Sequence, residues 1–370
     1  MQQYLTSLFQ MAMKARSWVF LVLSAIAIKW VSLYPAFVEK YYTYGVYPVI
    51  STVQRFLLGW IPISMGDLLY AFLILVVLFR VGKLIRVVYQ KKFDKDYLLS
   101  ALKQAIFLFL LIYVFFYGLW GLNYSRLGIS HQLGLEVKKY EVAELDSLTR
   151  TLVSRVNQYA AQVSDEELAG FRKKRKLFRE SRDAFRELEK TYPFLKYEPK
   201  SVKPSLYSYL GNYLGFQGYY NPFSGEGQVN TTIPPFLEPF VACHEIGHQL
   251  GYAREYEANF IAFLACRNYE NPVFRYSLYF DMFHYTIDDL YRQDSVAAKK
   301  YIDQLHPLVK KHRKDLVNFY KGYRNPIEPV ISNLYGQYLK ANGQPEGKRS
   351  YNRIVAWLVA YGKKFGEEAL

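Results

Sequence analysis

The sequence predicts a mostly α-helical membrane protein. Three membrane-spanning helices are expected over residues 1–122, then a predominantly helical domain over 123–370 that holds a small β-sheet. Three observations carry this expectation. Three stretches among the first 122 residues are apolar for about the length a helix needs to cross a bilayer. From residue 140 onward, apolar residues recur mainly at the three-to-four spacing of an amphipathic helix. Between 205 and 232 that spacing yields to a crowd of aromatic residues and to Gln228-Val229-Asn230-Thr231-Thr232, which reads as a strand.

The first apolar stretch covers 18–37 and carries Lys29 near its middle. A charge there is tolerated only if the side chain snorkels or faces a cavity. Lys14 and Arg16 precede the stretch, and Ala25-Ile26-Ala27 has the small-residue form of a signal-peptide cleavage site. The apolar run continues well past that point, so an uncleaved anchor is expected. The second stretch covers about 66–84, with Arg80 and Lys83 marking its end, and the third covers 105–122.

The loop between the second and third stretches holds Arg86, Lys91, Lys92, Lys95 and Lys103 against Asp94 and Asp96. By the positive-inside rule it lies in the cytoplasm, which places 123–370 on the extracytoplasmic face of an inner or plasma membrane. Residues 1–122 carry 12 Lys+Arg and 4 Asp+Glu, so +8 of the net +15 belongs to this topology and +7 to the remainder. A basic outer domain suits an anionic membrane surface or envelope polymer. No nucleic-acid motif is present, and no nucleic-acid partner is expected.

Val142, Leu145, Leu148, Leu152, Val156 and Tyr159 predict a helix over 140–163. A second, densely charged helix is expected over 165–191, capped by Ser164 with Glu166 and Glu167, its run Arg172-Lys173-Lys174-Arg175-Lys176 forming a solvated face. Pro193, Pro199 and Pro204 break the pattern before the β-rich stretch 205–232. Ile233-Pro234-Pro235 then introduces the next helix. Beyond 271, helices are expected over 274–292, 295–304, 308–323, 327–340 and 349–364. His284, His306 and His312 lie there without spaced partners and read as core or surface residues.

That next helix carries the chemistry. Val241-Ala242-Cys243-His244-Glu245-Ile246-Gly247-His248-Gln249-Leu250 contains HExxH. Residues i and i+4 share one helix face, so the two imidazoles can hold one metal ion while Glu245 stands beside them as a base. Every residue from Val241 to Leu250 other than that motif is uncharged, so the helix can be buried. Gly251 is expected to end it. A third ligand can come from Glu255 or Glu257 on a second helix starting near Arg254. Glu255 and Asn259 share a face of that helix, whereas Glu257 lies about 200° around it. Glu255 is therefore favoured, with the Asn259 amide orienting a histidine behind it, and Glu257 stays open. Cys243 and Cys266, the two cysteines, could pair if their Cα atoms lie within about 7 Å; two small buried residues on packed helices are expected.

At these residues the chain resembles the gluzincin metallopeptidases, marked by HExxH and a downstream glutamate in an E-x-x-x-D or E-x-x-A-N/D context. Glu255-Tyr256-Glu257-Ala258-Asn259 fits, with Asn where many members carry Asp. It is most similar to an uncharacterised family of bacterial integral membrane proteins classed as zinc peptidases. Phe260-Ile261-Ala262-Phe263-Leu264-Ala265-Cys266 follows the motif as in that family. Tyr338-Leu339-Lys340-Ala341-Asn342-Gly343-Gln344, with Ser350-Tyr351 after it, also looks like it. The likeness covers most of the chain and is strongest over 219–266. The six residues between His248 and Glu255 are few for a gluzincin. Gly251 sits where metzincins have it, but Arg254 replaces their third histidine and cannot ligate.

The resemblance implies a zincin-like domain over 123–370, Zn2+ on His244, His248 and Glu255, and Glu245 as general base. It implies a strand within 219–230 that lines a cleft and binds extended substrate at the sheet edge. It also implies hydrolysis of a peptide or protein substrate beside the lipid bilayer. Tyr351 falls in a resembling stretch and Tyr335 just before one, and both are candidates for an oxyanion donor. Two other readings are a zinc-dependent amide or ester hydrolase of the cell envelope and a non-catalytic membrane receptor or assembly protein. No oligomeric state follows from the sequence.

Overall fold

The structure, a computed structural model, describes residues 14–370; residues 1–13 of the expected membrane region lie outside the described residues. The chain is mostly helical with one small sheet. Helix α1 (Ala15–Val31) is followed after a 103° bend by α2 (Pro35–Leu58). The expected first span over 18–37 thus ends early. Pro35 has no N–H to continue α1 and instead opens the next helix, where its fixed φ suits the first turn. The centre of α2, Val38–Val46, is π-helical.

Helices α3 (Met65–Tyr89) and α4 (Lys95–Leu119) are longer than the apolar stretches that predict them. Each begins at a side-chain cap: Ser64 Oγ accepts from Asp67 N, and Asp94 Oδ1 from Tyr97 N. Among the described residues these two helices are long and apolar enough to cross a membrane, and the bent pair α1–α2 makes a third if counted as one span. The third expected span, 105–122, stops at Leu119. Trp120 leaves the helix with φ −157° and turns its indole toward the outer part of the chain. Trp18 of α1 packs edge-on against Phe107 of α4 at 5.3 Å.

Beyond α4, a 3-10 helix (Gly121–Ser125) and a single helical turn (Ile129–Gln132) lead to α5 (Val142–Ala160), whose start is a capping box between Glu141 and Glu144. The single helix expected over 165–191 is two, α6 (Asp165–Gly170) and α7 (Lys174–Thr191). The chain turns between them to bury Phe171 against Phe274, at 5.7 Å between rings, and one buried residue leaves no periodic trace in a charged run. Ser164 and Glu167 form the predicted cap.

Strands β1 (Val202–Pro204), β2 (Gly218–Asn221) and β3 (Glu226–Val229) form a sheet in the order β1-β3-β2, parallel on one side of β3 and antiparallel on the other. Two expectations for 205–232 are corrected. Ser208–Leu214 is a helix, α8, closed by left-handed Gly215 at φ 78°. The strand expected at 228–232 runs two residues earlier, because Asn230 Oδ1 accepts from Thr232 N and turns the chain. The sheet's outer face is polar and buried. Glu226 accepts from Gly66 N at 2.6 Å and Met65 N at 3.2 Å and pairs with Lys203, while Asp67 accepts from Tyr219 at 2.5 Å. The first turn of α3 is thereby fixed to the sheet.

On the other face lies α9 (Glu238–Gln249), wholly buried, followed by α10 (Glu255–Asn268), buried from Glu255 to Cys266. Pro239 stands in the first turn of α9, and Pro234 and Pro235 precede the helix rather than open it. Then come α11 (Pro272–Gln293), α12 (Ser295–Asp303), α13 (Pro307–Gly322), α14 (Glu328–Ala341) and α15 (Ile354–Phe365). The helix expected from 349 starts at Ile354, because Gly347–Arg353 winds as a 3-10 helix. The core gathers α5, α7, α9, α10, α11 and α15, with Tyr159 stacked on Tyr279 at 5.5 Å.

Glu238, at the start of α9, is fully buried with neither carboxyl oxygen hydrogen-bonded. Burial lifts its pKa to about 8, with Arg172 and Lys174 pulling the other way. A folded value above the ordinary carboxylate range means that this residue carries no ionisation penalty below pH 4.5. Stability is lost as pH rises from there through about 8. Glu238→Gln is expected to be more stable than the wild type at pH 8, by about 1.4 kcal/mol per pH unit crossed, and equal to it near pH 4. Chemical denaturation at both pH values checks this. No gain at pH 8 would show that the charged form is accommodated.

Candidate metal centre

Helices α9 and α10 pack closely, joined by the turn 250–254. Gly251 has φ 84°, a conformation that favours glycine, and it lets the chain reverse beside Tyr47. The reversal brings the start of α10 against the last turn of α9. His244, His248 and Glu255 then place one ligand atom each within 4.8 Å of one another, all buried. Glu255 Oε2 stands 3.3 Å from His244 Nε2 and 3.4 Å from His248 Nε2.

Both rings are held from behind. His248 Nδ1 lies 2.8 Å from the Tyr252 carbonyl, which can only accept, so Nδ1 carries a proton and in the neutral ring Nε2 keeps its lone pair. His244 Nδ1 lies 2.7 Å from Asn259 Oδ1, whose Nδ2 donates to Tyr285 Oη at 3.4 Å. Asn259 thus sits where the sequence expects it, behind a histidine. Glu255 Oε1 accepts from Tyr335 Oη at 2.5 Å, and the Tyr351 hydroxyl is 3.3 Å from that of Tyr335. Tyr351 lies parallel to the His244 ring at 6.4 Å.

Glu257 points elsewhere. It is fully buried 3.4 Å from Arg254 and against Gly128, outside the cluster. Cys243 and Cys266 are unpaired, buried and side by side. His312 bonds Tyr276 and Asp165, His306 caps α13, and His284 bonds Phe280 O.

The residues present fit a divalent cation. Glu255 Oε2 is buried without a fixed hydrogen-bond partner, facing the Nε2 atoms of both imidazoles, a nitrogen–nitrogen–oxygen set suited to Zn2+. Burial raises Glu255, but the imidazoles outweigh it and hold its carboxyl far below the usual range. Burial likewise depresses His248, and the Glu255 carboxylate overrides it, lifting His248 to about 9. Glu245, one residue after His244, is buried with Oε2 unpartnered, and burial pushes it up to about 8. It lies against the sheet: a side chain at Gly218 of β2 would collide with Glu245 Oε1. Edge strand β2 is therefore beside Glu245 and overlaps the expected 219–230 region from Tyr219 on, the contact itself falling one residue before it.

The last turn of α9 is held by residues that sequence reading missed. Trp120 Nε1 donates to His248 O at 3.0 Å, Tyr47 Oη and Ser51 Oγ to Gln249 O at 2.7 and 3.1 Å, and Arg126 to Gly251 O at 3.1 Å. Arg126 is itself buried against Glu39 at 2.9 Å. Carbonyls at a helix end need donors from outside the helix, and here they come from α2 and the chain just after α4. Nothing local marks these residues, which lie about 125 to 200 positions away in sequence.

Neither a curated protein nor a solved structure shows significant similarity to this chain. One family model matches residues 42–359, most of the chain, and spans both the membrane-end residues and the metal cluster. The chain belongs to the family described as Protein of unknown function (DUF3810).

Proposed function

We propose that the protein is a membrane-embedded zinc-dependent peptidase of gluzincin type, with α3 and α4 crossing a bacterial inner or plasma membrane and the metal cluster on the extracytoplasmic side. The observation that carries this reading is the convergence of His244, His248 and Glu255 with Glu245 and an edge strand alongside. The basic loop between α3 and α4 lies at the far end of both helices from the cluster, which supports the orientation.

His244, His248 and Glu255 would hold the ion, which when bound supplies a polarised water and a Lewis acid for the scissile carbonyl. Glu245 Oε2, buried and without a competing donor, takes the proton of the attacking water and returns it to the leaving amine. Strand β2 aligns an extended peptide beside Glu245. Tyr335 restrains Glu255, and the Tyr351 hydroxyl next to it is the donor available to a developing oxyanion.

Detergent-purified protein offered a panel of unstructured peptides and ester or lipid amide substrates is expected to cut the peptides. Cleavage should cease on chelation and return with Zn2+. Turnover of esters or lipid amides alone would replace the peptidase reading with the envelope-hydrolase one.

A further inference from the structure

The C-terminal part of helix α2 has the reverse amphipathicity of a helix at a water-exposed surface. The inward face of the helix buries Glu39, Thr43, Ser51 and Arg55 together with Val38, Tyr42 and Tyr47. Its outward face presents Val49, Val53, Phe56 and Leu57, each at least half exposed, with Phe56 70 % and the following Trp60 76 % exposed. Water would cover most of the apolar side of this helix and only one of its three charges, Lys40, while Glu39 and Arg55 are buried. A face built this way is matched to lipid.

Its position agrees. The 103° bend turns α2 away from α1, which packs along α4, so α2 runs across the direction of the long apolar helices. Two other helices lie at the same level. The C-terminal end of α14 is tied to the end of α4, with Tyr117 Oη donating to Asn342 Oδ1 at 2.7 Å and the Tyr124 and Tyr338 hydroxyls 3.2 Å apart. The approach to α8 is tied to the first turn of α3, with Leu206 N donating to Asp67 Oδ2 and Tyr207 Oη to Asp67 O, both at 2.7 Å. Asn325 joins the two helices by donating to Tyr213 O at 2.7 Å. At this level Ile327, Val330 and Leu334, spaced three and four apart, project from α14, and Tyr209 and Leu210 from α8, all at least half exposed. Exposed Lys321, Arg324 and Lys340 border them and suit anionic headgroups.

We propose that these apolar faces of α2, α8 and α14 are seated in the headgroup–acyl boundary of one leaflet, so that the outer part of the chain is sunk into the membrane rather than held above it. The inference rests on α3 and α4 being spans and is independent of hydrolysis. It brings lipid to the helix that carries Tyr335, the residue bonded to the ligand Glu255.

The test uses the full chain in phosphatidylcholine–phosphatidylglycerol vesicles. An environment-sensitive fluorophore is placed on Phe56→Cys or Leu334→Cys, with Leu75→Cys in mid-α3 as the deep reference and Val296→Cys on α12, 78 % exposed, as the aqueous one. Cys243 and Cys266 are buried and stay unlabelled. Labels at 56 and 334 are expected to shift to the blue and to be quenched most by lipids brominated near the headgroup. The label at 75 should be quenched most by bromines near the chain end, and that at 296 by neither. If 56 and 334 behave like 296 while 75 is quenched, the inference is wrong and the spans stand. If 75 is also unquenched, the spanning reading fails and takes the inference with it.

Discussion

Glu245→Gln is expected to lower peptide turnover by about 10²–10⁴-fold, the usual contribution of a positioned general base, while the bound metal stays near the wild-type level. The two effects separate because Glu245 is beside the cluster and not in it: the three converging ligand atoms belong to His244, His248 and Glu255. Glutamine keeps the shape of the side chain packed against Gly218 and Gly227, so the fold should be retained and KM should change little. It cannot take a proton at Oε2. Initial rates with the best peptide of the panel, alongside metal content of the same sample, check this. Unchanged turnover would remove Glu245 from the chemistry; loss of metal together with activity would make it a ligand or a structural residue.

Much of this site was legible because its information is local. HExxH puts two candidate ligands on one helix face with a candidate base beside them, Gly251 marks the reversal, and the pairing of Glu255 with Asn259 follows from a spacing of four. The structure gathers those residues and sends Glu257 to Arg254. The two long apolar helices and most of the later helices were legible for the same reason, each being a continuous apolar or a periodic run.

The rest depends on contacts that no window of sequence contains. Helix α2 escaped because Glu39, Thr43, Ser51 and Arg55 face inward while Val49, Val53, Phe56 and Leu57 face outward, so over those residues the usual rule points the wrong way. Trp120 reads as the end of an apolar span, yet its indole caps the metal helix. Ser208–Leu214 reads as a strand by its tyrosines, although Tyr209 and Tyr213 stand four apart and pack edge-on at 5.7 Å as helix neighbours. The break at Phe171 turns on one buried ring. In each case tertiary packing overrides local preference.

The second large effect concerns the ion itself. His248→Ala removes one of three ligands and leaves Glu255 Oε2 facing a single imidazole. Losing an outer-shell partner of a metal ligand costs about 10–100-fold in affinity, and losing the ligand should exceed that. The substitution should be tolerated by the fold, because α9 is held at its end through backbone carbonyls, including that of residue 248, which alanine retains. The measurement that tests the account most directly is therefore zinc per chain in detergent-purified wild type and His248→Ala, both dialysed against the same trace of Zn2+. About one zinc per wild-type chain, lost in the variant, is the predicted result. Zinc absent from the wild type, or bound equally by both, would contradict the metal centre and with it the proposed hydrolase.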